Sequence, residues 1–385
     1  MDSPFLLYIK HLMIIGGTLP VDLINSRKRI YIFYRYVTHT FVSLAGIYWL
    51  GGNMNIDGFD RTLFNYIYDR IFVMISYVNL AITTSGNFQK LIYEMIAYEA
   101  EVLDVGTEKH LKIHEQVVKK CRTLQVYYIS ILSSCSIAFV VPAFVEYALV
   151  ESSEESTNST INTHNYDLWI PFEESKQYLV WLLVQSCYTL IVTCIYCSYQ
   201  TILINLLLVV ILRLKILRAR IENMKDIETL DAKRFIRIYA KEHIDLIRNC
   251  KHVDDTVKYV MLMEFLFASL RLALSIFLLV TTNTPNSKIY FGSVTVNVLI
   301  NILILCWNAD QIREESIGIS DSIYQLPWFE YDKSDVISLH IMMIRSQTPL
   351  TLTTGPFGTV TLDLAGKILK ATYTYATFMH QMYEN

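Results

Sequence analysis

The sequence predicts an all-α membrane protein with seven transmembrane helices, a cytosolic N-terminus, an extracellular C-terminus and a cytosolic helical anchor region. Three observations predict this fold. Hydrophobic residues make up 53% of the 385 residues and charged residues only 18%, whereas soluble domains carry about 25% charged residues. Apolar runs long enough to cross a bilayer recur along the chain. Basic residues are concentrated in alternate loops, as they are in multi-pass membrane proteins.

The transmembrane helices are predicted from apolar runs of about 20 residues, the length that crosses a bilayer. In chain order, the seven predicted spans are 30–50, 66–84, 124–145, 178–212, 260–280, 289–309 and 357–382. Spans three, four and six contain no charged residue, and the other four contain a few. Span four has 35 residues, roughly 52 Å as a helix. It therefore extends beyond the bilayer, and its projecting apolar end must be buried against protein.

The first 29 residues precede span one and form an N-terminal arm. Phe5, Ile9 and Leu12 recur at helical spacing, which is typical of an amphipathic helix lying on the membrane surface. The arm lacks the basic segment, apolar stretch and small-residue cleavage site of a signal peptide. We therefore expect an interfacial or cytosolic arm.

The orientation follows from the distribution of Lys and Arg. Twelve of them lie in the loop 213–258 after span four. The loops on the other side of the membrane contain only Arg61, Lys176 and Lys288. The positive-inside rule then places the N-terminus in the cytosol and, with seven spans, the C-terminus outside. Asn158 begins an Asn-Ser-Thr glycosylation sequon in a loop that this topology places outside.

Several functional classes are disfavoured by what the sequence lacks. The net charge of −3 argues against nucleic-acid binding. No phosphate-binding loop, hydrolase motif or Cys/His metal cluster is present, so we expect neither an enzyme nor a bound cofactor or metal. Glu264 and Arg271 lie seven residues apart on one face of span five. They fit either an ion relay or two separate pairings with neighbouring helices, and we favour the pairings.

A ligand cavity is predicted between spans two, three, four and six, in their outer halves. Aromatic, small and hydroxyl residues recur there at spacings of three, four and seven, which keeps most of them on one helix face. Such walls suit a small apolar ligand, although ordinary helix packing uses the same residue types. The candidates are Tyr68, Phe72, Ile75, Ser134, Ala138, Val141, Val184, Tyr188, Tyr290, Phe291 and Val294.

The most specific motifs lie near the C-terminus. Residues 324–328 read YQLPW, residues 345–350 read RSQTPL and residues 372–375 read TYTY. In this order the motifs resemble those of the insect odorant receptor family. Thr-Tyr followed after five residues by Gln-Met, at 374–382, is also similar to the gustatory-receptor signature, but Met382 stands where that signature has Phe.

The resemblance also distinguishes two types of subunit. Residues 360–364 read VTLDL, similar to a stretch of the odorant receptor co-receptor. The loop 213–258 lacks that protein's long insertion, so the chain resembles a ligand-tuned subunit. The resemblance implies an odorant-gated, non-selective cation channel that forms a heterotetramer with the co-receptor in the plasma membrane of olfactory sensory neurons. Its implied partners are a small volatile ligand, the lipid bilayer and permeating cations.

The resemblance also implies roles for the last helix and for a cytosolic anchor. Tyr375, Phe378, Gln381 and Met382 would line the pore, with Phe378 and Met382 as a hydrophobic gate, and Met379 would face lipid. Lys367 and Lys370 depart from the expectation for a cation path. The predicted subunit-anchor residues are Leu207, Val210, Ile211, Trp307 and Trp328.

The whole chain, 1–385, is predicted to be one channel domain. Within it we distinguish the arm 1–29, the ligand-binding half 30–212, the segment 213–355 with the helix extensions, spans five and six and the anchor, and the pore helix 356–385. A gustatory-type homotetrameric channel is the alternative. A G-protein-coupled chemoreceptor is disfavoured by the inverted topology and by the lack of Asp-Arg-Tyr and Asn-Pro-x-x-Tyr motifs.

Overall fold

The computed structural model describes residues 3–6, 9–24, 28–51, 61–152, 175–226, 229–282 and 284–384. This part of the chain is almost entirely helical, and its only β-structure is an isolated bridge. In chain order the α-helices are α1 (Lys10–Ile15), α2 (Lys28–Gly51), α3 (Arg61–Thr84), α4 (Gly86–Val105), α5 (Glu108–Ser152), α6 (Ser175–Glu222), α7 (Thr229–Thr281), α8 (Pro285–Tyr324), α9 (Lys333–Gln347) and α10 (Leu362–Glu384).

The helices account for the predicted spans. Spans one to seven correspond in order to α2, α3, α5, α6, α7, α8 and α10, so the all-α membrane fold class is confirmed. Among the described residues, α5, α7 and α8 are each long and apolar enough to cross a membrane by themselves. α3 and α4 form a further candidate as a pair bent by 58°.

The start of the last span is corrected by the structure. The predicted span began at residue 357, whereas α10 begins at Leu362. Gly355 and Gly358 have positive φ angles of 58° and 114°, which favour glycine and interrupt a right-handed helix. The backbone N–H of Leu362 then donates to Asp310 Oδ2 at 2.8 Å. A carboxylate on α8 therefore fixes the N-terminus of the predicted pore helix.

α6 is the central helix of the bundle. It packs against α5 and α8, and α8 packs in turn against α7. Residues 195–212 of α6 are almost all buried, because a helix that is apolar on every face is stable only when neighbours surround it. The projecting apolar end of span four is thus covered by protein, as its composition predicted.

The N-terminal arm differs from the expected surface helix. Its helical part is only the six residues of α1, and Phe5, Ile9 and Met13 are fully buried in the core. The Phe5 carbonyl accepts hydrogen bonds from Gln125 Nε2 at 2.6 Å and Asn205 Nδ2 at 2.9 Å. The helical spacing was real, but the apolar face packs against α5 and α6 instead of facing lipid.

The segment between α9 and α10 is attached to α7 and α8 by polar contacts. Asp254 on α7 accepts from the Thr353 backbone N–H at 2.7 Å. Ser316 on α8 accepts from the Leu350 backbone N–H at 3.0 Å. These contacts satisfy backbone groups of a segment without regular structure. They also hold the start of α10 against the two helices on which it packs.

Candidate ligand cavity and pore helix

A cavity of about 50 Å³ lies between α3, α5, α6, α7 and α8. Its walls combine aromatic rings, aliphatic side chains, several hydroxyl groups, one amide and one guanidinium. The lining residues are Tyr68, Phe72, Leu132, Cys135, Ser136, Phe139, Thr189, Thr193, Tyr196, Arg271, Tyr290, Val294 and Asn297. Mostly apolar walls with a few polar groups are typical of small-molecule sites, but most such pockets have volumes of roughly 300–1,000 Å³. An eight-carbon ligand therefore requires the lining helices to move apart.

Aromatic contacts hold one side of the cavity. The Tyr68 and Phe291 rings meet edge to face, with centroids 5.6 Å apart. Tyr290 packs against Phe291 at 5.2 Å and against Phe139 at 5.2 Å. Such pairs contribute about 0.5–1.5 kcal/mol each beyond their buried area. Because the rings come from α3, α5 and α8, a ligand that displaces one of them disturbs packing contacts between three helices.

Hydroxyl groups on α5 and α6 supply part of the polar lining. The Ser136 and Thr193 hydroxyls are hydrogen-bonded to each other at 2.8 Å. Ser136 also bonds to its own helix at the Leu132 carbonyl, and Thr193 at the Thr189 carbonyl. Since these bonds are local, the hydroxyls can exchange partners with a ligand at little cost.

The structure brings together four of the eleven predicted ligand-binding residues, namely Tyr68, Phe72, Tyr290 and Val294. Phe291 stands directly behind Tyr68 and Tyr290. The remaining six lie outside the cavity lining. Ser134 and Val141 are exposed, Ala138 and Val184 are half-buried, Ile75 belongs to the main core, and Tyr188 belongs to a separate core cluster with Val42 and Val73.

Sequence reasoning missed Ser136, Asn297 and Arg271 as lining residues. Ser136 lies two positions from the predicted Ser134, which is about 200° around the helix. Arg271 carried a usable signal, because an ionisable residue within a span indicates a functional site.

Glu264 lies outside the cavity and joins four helices. Its Oε1 accepts hydrogen bonds from Gln200 Nε2 at 2.6 Å and Asn301 Nδ2 at 2.8 Å. Asn301 Oδ1 accepts in turn from the Tyr128 hydroxyl at 2.6 Å. All four side chains are buried. Arg271 instead contacts Tyr196, so Glu264 and Arg271 have different hydrogen-bond partners.

A larger cavity, of about 500 Å³, lies between α4, α6 and α7. It is roughly 30 Å farther along α6, since Thr193 and Arg213 are twenty residues apart. Its walls contain an Arg220–Glu242 ion pair and the Arg213 guanidinium 4.1 Å from the centre of the Tyr98 ring. This charged environment suits a volatile apolar ligand poorly, because such a ligand would separate or desolvate charges.

The predicted pore stripe on α10 is exposed in the single chain. Phe378 is 60% exposed and Met382 is 45% exposed, and Tyr375 and Gln381 are also exposed. The opposite face, which includes Ala376, is buried and packs against α7 and α8. Tyr375, Phe378 and Met382 are therefore outside the core of the single chain. On a membrane helix, an exposed aromatic and aliphatic stripe faces lipid, a neighbouring subunit or a pore.

Two expectations about α10 change. Met379 was expected to face lipid, but it is half-buried and packs on the core, because it lies about 100° from Phe378 around the helix. Lys367 lies within roughly 20° of Phe378 on the helix, and its Nζ forms an exposed ion pair with Asp363 at 2.7 Å. The positive charge of Lys367, on the predicted pore face, is thus compensated by the carboxylate of Asp363.

The predicted anchor residues divide into two groups. Leu207, Val210 and Ile211 are buried in the core of their own chain. They are therefore unavailable to a subunit interface, which corrects the prediction for these three residues. Trp307 and Trp328 are exposed and remain candidates for subunit contacts. The predicted glycosylation residue Asn158 lies outside the described residues.

Comparison with known proteins places this architecture among chemosensory membrane proteins. A family model described as "7tm Odorant receptor" matches residues 71–373. The chain is 27% identical over 225 residues to Odorant receptor 10 of Aedes albopictus. This alignment covers 57% of this chain and 60% of that protein. It is 22% identical over 151 residues to the Odorant receptor coreceptor of Harpegnathos saltator, covering 38% of this chain and 31% of that protein.

The fold is similar to a solved structure over almost its full length. The insect olfactory receptor OR5 from Machilis hrabei in complex with eugenol superposes with a TM-score of 0.83, at 15% sequence identity. The match covers 98% of each chain. The sequence matches are shorter, and the first curated relative is matched over about 60% of its length.

Proposed function

Because this chain belongs to the 7tm odorant receptor family, we propose that it is the ligand-tuned subunit of an odorant-gated, non-selective cation channel. In this proposal a small volatile ligand occupies the cavity between α3, α5, α6, α7 and α8. Binding opens a central pore to which each subunit contributes α10. The partner is the odorant receptor co-receptor, in a heterotetramer in the plasma membrane of olfactory sensory neurons.

The observation that carries this proposal is the exposed stripe on α10. A single chain leaves Phe378 and Met382 uncovered, while the opposite face of the same helix is packed. Equivalent helices arranged around a central axis would close these side chains into a hydrophobic constriction. Such a constriction excludes water and ions until the helices move apart.

Two of the helices that line the cavity, α7 and α8, also contact α10, which supports coupling between the cavity and the predicted pore helix. The Phe64 ring on α3 packs against Phe277 on α7 with centroids 4.3 Å apart. Phe277 packs edge to face against Tyr383 on α10 at 5.7 Å. Packed interiors respond to an inserted group by discrete shifts. A ligand that spreads α3 and α7 would therefore move the outer end of α10.

Heteromeric assembly is supported by the similarity of this chain to the co-receptor of Harpegnathos saltator. Subunits with the same fold can occupy equivalent positions around a pore axis. Trp307 and Trp328 are exposed aromatic residues of the type that is enriched at protein interfaces. We assign them to subunit contacts near the basic loops.

Expression in oocytes tests this function. Three conditions are compared: the chain alone, the co-receptor alone, and the two together. Volatile esters, alcohols, terpenes and aromatics are applied under two-electrode voltage clamp. We expect odorant-evoked cation current only from the combination, and Tyr290→Ala is expected to shift its dose–response. Equal current from the chain alone would instead support the gustatory-type homotetramer.

A further inference from the structure

The cavity contains a buried guanidinium whose bonding capacity is largely unused. Arg271 is only 7% exposed. Its Nη1 donates to the Tyr196 hydroxyl at a long 3.4 Å, and its Cζ lies 5.4 Å from the centre of the Tyr196 ring. Its Nε has no partner among the described residues. A guanidinium has five N–H donors, so this one contact leaves most of them unused.

No carboxylate shares the cavity with Arg271. The lining residues that the structure describes include no Asp or Glu. Glu264, two turns away on α7 and about 10 Å along the helix axis, accepts its hydrogen bonds from Gln200 and Asn301. Glu264 therefore acts on Arg271 only through space, without a hydrogen bond or a close ion pair. A buried charge that no carboxylate contacts directly is costly to maintain. The cavity lacks a hydrogen-bond acceptor of matching strength for the guanidinium.

Asn297 supplies a second polar group that the protein does not satisfy. It is 2% exposed and lines the same cavity. Neither its amide nitrogen nor its amide oxygen has a partner among the described residues. Buried amides are normally hydrogen-bonded, and an exception calls for an explanation. Two unsatisfied donors in one cavity indicate an acceptor that comes from outside the chain.

We propose that this cavity selects ligands that carry a carbonyl or carboxylate oxygen, which accepts hydrogen bonds from Arg271 and Asn297. This inference rests on the proposed ligand function of the cavity. Phe72, Leu132 and Val294 supply the apolar wall for the hydrocarbon part of the ligand. A protonated amine is disfavoured because its positive charge is repelled by the positive charge of Arg271. A plain hydrocarbon leaves both donors unsatisfied.

Ligand-induced thermal stabilisation of the purified full-length chain tests the inference without requiring a pore to open. Four probes share an eight-carbon chain: 2-octanone, octanoic acid, octane and octan-1-amine. We expect 2-octanone and octanoic acid to stabilise the protein at concentrations about 10- to 100-fold lower than octane, because hydrogen bonds to a charged donor are strong. Octan-1-amine should give no stabilisation beyond that of octane. The ratio of the ketone to the acid indicates which oxygen the site prefers.

Three variants locate the preference. Arg271→Met and Asn297→Leu should each reduce the advantage of the oxygenated probes over octane, while Arg271→Lys should retain part of it. Asn297 has no internal bond to lose, so Asn297→Leu should fold even if Arg271→Met does not. A purely structural role for Arg271 would lower stability without changing the order of the probes.

Three results would each overturn the inference. The first is equal stabilisation by octane and the oxygenated probes. The second is an unchanged preference in Asn297→Leu, and the third is no stabilisation by any probe. The proposed channel function is tested by a separate measurement, the odorant-evoked current. Oxygen-selective binding without such a current in the co-receptor complex would refute the channel function and leave this inference standing.

Discussion

The substitution Asn301→Leu isolates the polar network that joins four helices of the bundle. Asn301 donates to Glu264 and accepts from Tyr128. Leucine has the same number of side-chain heavy atoms, branched at the same position, and is somewhat larger, so the change removes hydrogen bonds without opening a cavity. An unsatisfied buried hydroxyl costs about 1–3 kcal/mol, and loss of a hydrogen bond to a carboxylate about 1.5–3 kcal/mol. We therefore expect a loss of about 3–5 kcal/mol in the free energy of unfolding.

The chain offers a matched control on the same helix. Asn297 lies one turn before Asn301, is equally buried, and has no hydrogen-bond partner among the described residues. Asn297→Leu should therefore be neutral or stabilising. The double variant Asn301→Leu with Tyr128→Phe should be more stable than Asn301→Leu alone, because it also removes the stranded hydroxyl.

Thermal-unfolding midpoints of detergent-purified protein provide the assay. The expected order is wild type and Asn297→Leu highest, the double variant next, and Asn301→Leu lowest. Surface expression of the four proteins should follow the same order. Equal midpoints for Asn301→Leu and Asn297→Leu, or a further loss on adding Tyr128→Phe, would refute the reasoning that these hydrogen bonds stabilise the bundle.

Three further predictions concern the ligand cavity and the pore helix. Phe72→Ala should raise the odorant concentration for half-maximal current by about 10-fold, since an aromatic wall of the cavity is lost; an unchanged dose–response at normal surface expression places the site elsewhere. Phe378→Ala should increase leak current without odorant, whereas Tyr373→Ala, exposed on another face of α10, should not; equal leak from both means disturbed packing. Lys367→Gln should raise cation conductance and Asp363→Asn should lower it, because each change leaves one charge of the pair uncompensated; single-channel conductance checks both signs.

The helices were predictable from sequence because apolar length is a direct signal in a membrane protein. Spans three, four and six contain no charge that would interrupt the signal, and each coincides with a helix. The apolar end of α6 was also predicted to be covered. Its partner was not predictable, because composition shows that Leu207 must be buried but not whether its own chain or another subunit covers it.

The cavity was predicted only in part, for a geometrical reason. Spacing identifies residues that share a helix face, but it does not determine how each helix is rotated in the bundle. One residue along a helix is a turn of about 100°, so Ser134 is exposed while Cys135 and Ser136 line the cavity. Arg271 comes from a fifth helix, α7, whose contribution depends on three-dimensional packing.

The topology with the C-terminus outside rests on the loop charges and is open to a direct test. An epitope placed after Asn385 should bind antibody on intact cells. Binding only after permeabilisation would contradict the inverted seven-span topology, and it would revive the G-protein-coupled alternative.

Cysteine accessibility along α10 tests the central claim most directly. Single cysteines replace Tyr375, Phe378 and Met382 on the exposed stripe, and Ala376 on the packed face, in complexes with the co-receptor. A charged methanethiosulfonate reagent is then applied with and without odorant, and the unsubstituted chain controls for its native cysteines. We predict that modification at the stripe positions reduces odorant-evoked current, faster in the presence of odorant, while Ala376→Cys behaves like the unsubstituted chain. An equal loss of current at Ala376→Cys and at the stripe positions would contradict the assignment of α10 to the pore. No loss of current at any stripe position would contradict it as well.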